Sequence, residues 1–198
     1  MSALMHTVAV TRFSDHTWKE NEEFRNAQNF SGCLYNSPTL IATTVPSDSD
    51  VFVIEMNNTQ RKILGIGLIR NTLHPRRIKV HNDDFYNRHT YYSRQRVARE
   101  VLTEDERKLL IVLEELVFYG SGHLQRGRGI QKLPKASTEC ACLMRALGEN
   151  LGRRGNITAA KARLKEGKVD REWIERNRGQ DLVGWLRGLF GRRFATTP

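Results

Sequence analysis

The chain has few of the residues that staple a fold or carry it across a membrane. Its 198 residues include three cysteines, Cys33, Cys140 and Cys142. That odd count, with no C-x-x-C pair, offers neither a disulfide framework nor a zinc-ribbon signature. Cys140 and Cys142 stand two apart in a helical pattern, where side chains diverge, so reduced thiols are expected. The six histidines are scattered, and no metal or other cofactor is expected. No stretch approaches the roughly 20 apolar residues that span a bilayer. The start, MSALMHTVAVTRFSD, lacks a long apolar run behind a basic head. The expectation is an intracellular protein without a transmembrane segment. HExxH, GxSxG and GxxxxGK[ST] are missing too, which argues against a zinc protease, a serine hydrolase and a nucleotide-hydrolysing loop.

What is present is enough apolar residue, 39%, to bury a core at this length. The positive charge is unevenly placed. Residues 1–118 hold 15 Lys or Arg against 15 Asp or Glu, while residues 119–198 hold 17 against 7, so the second part carries the whole net charge of +10. Within the neutral part, Arg70 to Arg99 contains eight Lys or Arg against Asp83 and Asp84 alone. Such stretches favour polyanions.

The chain is organised around VFVIEMNNTQRKILGIGLIRN, Val51 to Asn71, which reads as two strands joined by a turn. Gly65 and Gly67 strip one strand face of side chains, which marks a bulge or admits another backbone or a planar ligand. Before it, Val8–Phe13 predicts a strand, Ser14 or Asp15 caps a helix carrying Trp18 and Phe24, and SGCLYNSPTLI is a structured loop or short strand. After it come a strand candidate at Ile78–His81 and a second strand pair in DDFYNRHTYYSRQRVAR. Thr103 and Glu106 form a capping box ahead of a helix ending near Gly120. GSGHLQRGRGIQKLPK is then a glycine-rich basic loop. A further helix begins near Ser137, with Cys140 and Leu143 on its buried face. Asp170 caps REWIERN, and Asp181–Phe190 is a last amphipathic helix. The expected fold class is α+β, with a small β-barrel-like core with packed helices over 1–151 and a basic helical extension over 152–198.

Two segments combine charge with aromatic or glycine-rich character. In FYNRHTYYSRQR, Arg88, Arg94 and Arg96 can pair phosphates while Tyr91 and Tyr92 stack on bases. The same tyrosines are equally expected to pack against the helix at 103–118. In the glycine-rich loop, His123, Arg126, Arg128, Lys132 and Lys135 can surround an anion, or simply decorate a connection. His81, Asp83 and Asp84 with Glu55 are the nearest approach to a magnesium site for phosphodiester cleavage, although HNDD between strands is ordinarily a turn.

SGCLYNSP, VFVIEMNN, GIGLIRN, FYNRHTYY and HLQRGRGIQKLP, spread over Trp18 to Pro134, together resemble a family of uncharacterised proteins of large nucleocytoplasmic DNA viruses. The pair VFVIEM and GIGLI is more loosely similar to PUA-like domains of the ASCH, EVE and YTH type, which bind RNA or modified bases. The first resemblance implies a viral setting, in the host cytoplasm or nucleus or in the virion. The second implies a base pocket lined by Trp18, Tyr35, Asn36 and Ser37. The expected function is non-catalytic binding of nucleic acid, RNA or viral DNA. The alternative is a virion structural protein that meets other viral structural proteins through residues 181–190, with a metal-dependent nuclease as the third reading.

Overall fold

Strand β1 (Thr7–Phe13) is buried along almost its whole length, as befits a strand covered on both faces. It runs parallel to β3 (Asp50–Asn57), with Val8 opposite Phe52 and Val10 opposite Ile54. A parallel pair needs a crossover, and helix α1 (Asp15–Ala27) and strand β2 (Cys33–Ser37) occupy it. β3 turns into the antiparallel β4 (Lys62–Arg70), so the predicted hairpin forms, with a register shift between Glu55 and Met56. β5 (His89–Ser93) pairs with β2, Tyr35 facing Tyr91. β6 (Arg96–Ala98) closes one edge of the larger sheet on β4, and β7 (Gln131–Lys132) closes the other on β1. The larger sheet has the order β6-β4-β3-β1-β7 and β2-β5 is a separate ribbon. Among the described residues the strands thus form two ladders rather than one closed barrel. These descriptions come from a computed structural model covering residues 6–120, 122–133, 157–177, 179 and 181–194.

Three expected strands fare differently from their prediction. β5 and β6 do not pair with each other, since each finds its partner in a different sheet. Ile78–His81 joins no ladder. Its backbone is satisfied by a buried side chain instead: Val80 and His81 N–H donate to Asn87 Oδ1 (3.0 Å each), and Asn87 Nδ2 donates to the His81 carbonyl (2.7 Å). An amide that mimics a neighbouring strand removes the need for one.

The glycine-bared face of β4 receives β2. A Cβ on Gly67 would overlap the Tyr35 hydroxyl and Cys33, and one on Gly65 would lie 2.7 Å from Glu55 Oε2. Tyr35, Cys33 and Tyr91 join Phe13, Val51, Val53 and Ile69 in one buried cluster. Gly67→Ala is therefore expected to cost about 1–3 kcal/mol by overpacking, measured as a lower urea midpoint at unchanged slope.

The described residues divide into two compact units, one running to Arg99 with Gly127–Leu133 added, the other comprising Glu100–Arg126 and the described residues from Ile157 onward. The division does not fall at 151/152. Helix α2 (Glu104–Phe118) belongs with the C-terminal helices α3 (Ile157–Glu166), α4 (Arg171–Arg176) and α5 (Leu182–Phe194). Thr103 and Glu106 cap α2 reciprocally, and Asp170 caps α4. Glu115, buried on α2, pairs with Arg163 of α3, whose guanidinium also lies 3.7 Å from the Tyr119 ring centroid. The helix expected from Ser137, with Cys140 and Cys142, lies outside the described residues. Cys33 is buried and free, and burial pushes its thiol up to about 12, which makes it inert at neutral pH.

Candidate functional site

β1 runs straight into α1. Phe13 ends the strand, and Ser14 caps the helix by accepting from the Thr17 N–H (3.2 Å) while Thr17 Oγ1 accepts from the Ser14 N–H (3.0 Å). Opposite this junction stands Gly127-Arg128-Gly129, with both glycines at positive φ, 128° and 66°. At Gly129 a side chain would collide with the Ser37 and Thr39 hydroxyls, so the loop takes this path only with glycine. Between the two lies a cleft of about 240 Å³, walled by Thr11, Arg12, Phe13, Ser14 and Thr17 on the strand and helix side. Asn36, Pro38, Asn58, His81, Tyr86 and the loop complete the wall.

Among the described residues the lining contains two arginines and no carboxylate. Arg12 is half-buried, donates from Nη2 to Gln131 Oε1 (2.8 Å), and is pushed down by burial to about 10. A desolvated guanidinium of this kind gains from an anion. His81 is 4% exposed, with Nδ1 2.8 Å from Glu20 Oε2. Glu20 also accepts from the Asn82 N–H (3.1 Å) and faces His16 (3.2 Å). Burial would raise the Glu20 carboxyl, but the bonds from His81 and the Asn82 N–H outweigh it and hold it below the usual range. The Glu20 carboxylate therefore sits against the imidazole of His81, while that of Asp15, next to Ser14, accepts from Asn57 Nδ2 (2.8 Å) and Gln60 Nε2 (2.7 Å).

Arg128 also connects the cleft to a more open depression lined by Arg77, Asp84, Phe85 and Arg88. The Arg128 guanidinium is 5.6 Å and that of Arg88 4.7 Å from the Phe85 ring centroid. Phe85 meets Tyr86 edge-on at 5.6 Å, and Tyr86 meets His81 at 6.0 Å. Asp84 pairs with Arg77 at 2.5 Å and is held below its usual range by that hydrogen bond, which leaves Arg88 and Arg128 as the charge beside Phe85. The result is an aromatic and cationic strip of two linked depressions. Phe85 and Tyr86 are presented by a 3-10 turn, Asp84–Arg88, which Asp83 caps through the Phe85 N–H (3.0 Å).

Of the residues singled out in the sequence, Arg88 and Arg128 stand in this strip. β5 sends alternate side chains to opposite faces. Tyr92 is half exposed against His74, whereas Tyr91 is 2% exposed with its hydroxyl accepting from the Ile41 N–H (3.2 Å). Arg94 is exposed; Arg96 is bound to Glu55 through three hydrogen bonds of 2.7–3.1 Å. The glycine-rich loop is shared between the units, with His123 and Arg126 in the second and Arg128 and Lys132 in the first. Lys132 is half-buried in β7, and Lys135 lies outside the described residues.

The four pocket residues are dispersed. Asn36 lines the cleft, held by its donations to Ile78 O and Asn87 Oδ1 (2.7 Å each). Tyr35 is buried and donates to Glu55 Oε1 (2.9 Å), and Ser37 is fully buried and donates to Thr39 O (2.5 Å). Trp18 packs edge-on against Phe13, with the Arg25 and Arg96 guanidiniums 5.3 and 5.4 Å from its ring centroid. The four candidates for a nuclease metal also separate: His81 goes to Glu20, Asp83 to its cap, Asp84 to Arg77 and Glu55 to Arg96. Among the described residues no three or more His, Cys, Asp or Glu form a metal-binding group.

Sequence reasoning did not single out Arg12 for binding. Its only signal is an arginine in an otherwise apolar strand immediately before a serine-capped helix. Tyr86 carried the same signal as its neighbours, an aromatic among arginines, and only the turn at 84–88 separates it from the buried Tyr91. Comparison of the chain with protein-family models, with curated proteins and with solved structures gave no match.

Proposed function

We propose that the protein binds single-stranded nucleic acid, without chemistry of its own, through the strip from Arg12 across Arg128 and Phe85 to Arg88. The carrying observation is that one residue, Arg128, lines the cleft and also covers Phe85. Phosphates then meet guanidiniums while bases lie on Phe85 and Tyr86, the combination that binds single strands with little sequence preference. The cleft's volume of about 240 Å³ is close to the lower end of small-molecule sites, about 300 Å³, and suits one nucleotide. The looser resemblance to PUA-like domains points toward RNA, and the viral resemblance toward a role in infection.

The experiment is a salt series on labelled single-stranded RNA, single-stranded DNA and duplex DNA. If Arg12, Arg88 and Arg128 each neutralise one phosphate, log affinity against log salt should fall with a slope of about −2 for single strands. Arg88→Gln with Arg128→Gln should flatten that slope by about 1.4 and weaken binding to every sequence alike. An absence of binding to either single strand at 50 mM salt, or a slope untouched by the double variant, would remove the strip as the site.

A further inference from the structure

We infer that the strand is also gripped at a second aromatic platform, Tyr92 with His74, so that the ligand is a run of about four or more unpaired nucleotides and not a single nucleotide; this rests on the nucleic-acid reading above. Tyr92 is 50% exposed, and His74 meets its ring edge-on at 5.0 Å. His74 is itself fixed, with its N–H donating to Thr90 O (2.8 Å) and its Nδ1 2.8 Å from Arg76 O. The tyrosine ring is thus buttressed by a neighbour while half of the residue stays open to solvent, which is what stacking on a base requires.

The platform shares a face with the cleft. Paired residues of β2 and β5 point to one side of the ribbon, so the pairs Asn36–Thr90 and Leu34–Tyr92, two residues apart, lie on the same face. Asn36 lines the cleft. The segment from His74 to Ile78 crosses that face, with His74 against Tyr92 and the Ile78 carbonyl accepting from Asn36 Nδ2 (2.7 Å). Between these anchors it carries Arg76 and Arg77, and Arg77, paired with Asp84, lines the depression at Phe85. Neither 74–79 nor 88–94 contains an acid, and Arg76, Arg77, Lys79, Arg88 and Arg94 are all exposed. Phosphates passing between the platforms therefore meet cations from both segments. The spacing sets the length. Arg88, over Phe85, stands four residues before Tyr92, about 13 Å at roughly 3.3 Å per residue of strand. That is about four nucleotide steps at the roughly 3.4 Å rise of a stacked strand, and fewer where the strand is drawn out. A mononucleotide reaches one platform only.

The test is a length series, uridine oligomers from two to ten nucleotides competed against a labelled ten-nucleotide strand at 50 mM salt. Affinity should rise about tenfold or more between two and six nucleotides, as the strand reaches Tyr92, and only slowly beyond. Tyr92→Ala should remove most of that step, weakening the ten-nucleotide strand about tenfold while leaving the dinucleotide, held at Phe85, as it was. Phe85→Ala should weaken both. Tyr92→Phe keeps the ring and should keep the step, which separates stacking from loss of the hydroxyl. The half-exposed Tyr92 can be cut back without opening the core, so a loss of binding is not a loss of fold. A ten-nucleotide strand bound equally by the parent and by Tyr92→Ala, with Phe85→Ala still weakening it, overturns the inference and leaves the nucleic-acid reading standing. No binding of any length by the parent overturns both.

Discussion

Arg96→Met is expected to destabilise the first unit by about 3–5 kcal/mol, because it strands a buried carboxylate. Glu55 is 1% exposed in the middle of β3, and Arg96 grips it from Nε to Oε1 (3.0 Å) and from Nη2 to Oε2 (2.7 Å), with the Tyr35 hydroxyl also on Oε1 (2.9 Å). Burial alone would lower the Arg96 guanidinium, but the charge and hydrogen bonds of Glu55 raise it above its usual value. Without Arg96, the Tyr35 hydroxyl is left to hydrogen-bond a carboxylate buried away from water. The loss should appear as a lower urea midpoint at pH 8 with an unchanged slope. Arg25 provides a small opposing effect, since burial and the neighbouring Arg96 charge hold its own guanidinium down. Replacing Glu55 and Arg96 together with methionine should cost far less than either change alone, because an ion pair exchanged for apolar volume loses its attraction and its desolvation penalty together. An Arg96→Met protein as stable as the parent at pH 8 would show that the pair contributes nothing.

That network also shows how far the sequence could be read. Local signals were legible: the capping box of Thr103 and Glu106, the hairpin over 51–71 and the apolar repeat of α2 all rest on short spacings. The bare face at Gly65 and Gly67 was visible as well, but what fills it was not, because Cys33 and Tyr35 arrive from more than thirty residues earlier. The same holds for partners. Arg96 reads as a surface arginine in a basic stretch until β6 pairs with β4 and brings it beside Glu55. In β5 both tyrosines read alike as stacking or packing residues; period-two alternation puts them on opposite faces, and pairing with β2 decides that Tyr91 is the buried one. Arg12 was the least legible. Its role depends on a loop more than a hundred residues later, and nothing local in TVAVTRF distinguishes it from a strand-edge cation.

Truncation before Leu182 should abolish the cooperative unfolding of the second unit, although an extension that orders only on a partner would be dispensable. Leu182, Leu186, Leu189 and Phe190 are each at most 4% exposed. Four such side chains at about 1.5–3 kcal/mol apiece amount to roughly 6–12 kcal/mol of burial, comparable to the whole stability of a small domain, about 5–15 kcal/mol. Ionic contacts add a smaller, pH-dependent share. Arg193 donates to both Glu106 oxygens (3.1 and 2.8 Å) and to Val101 O (3.0 Å), and Arg192 donates to Glu106 Oε1 (3.2 Å). Burial pulls the Glu106 carboxyl upward, but Arg193, the Thr103 N–H and Arg192 together bring it down to about 2. A depressed carboxyl stabilises above its unfolded value, near 4.5, and loses that contribution as pH falls through its folded one. With partial solvent screening its share is about 1–2 kcal/mol, present at pH 7 and largely gone by pH 2. Glu106→Gln should therefore flatten the acid limb of the stability curve while leaving helicity at neutral pH intact, whereas the truncated chain should lose helical signal beyond that of the thirteen helical residues of α5. A truncated protein that still melts cooperatively in its α2 region would mean that the apolar face of α5 is satisfied elsewhere, and the structural role in which residues 181–190 hold a neighbouring viral protein would then gain over nucleic-acid binding.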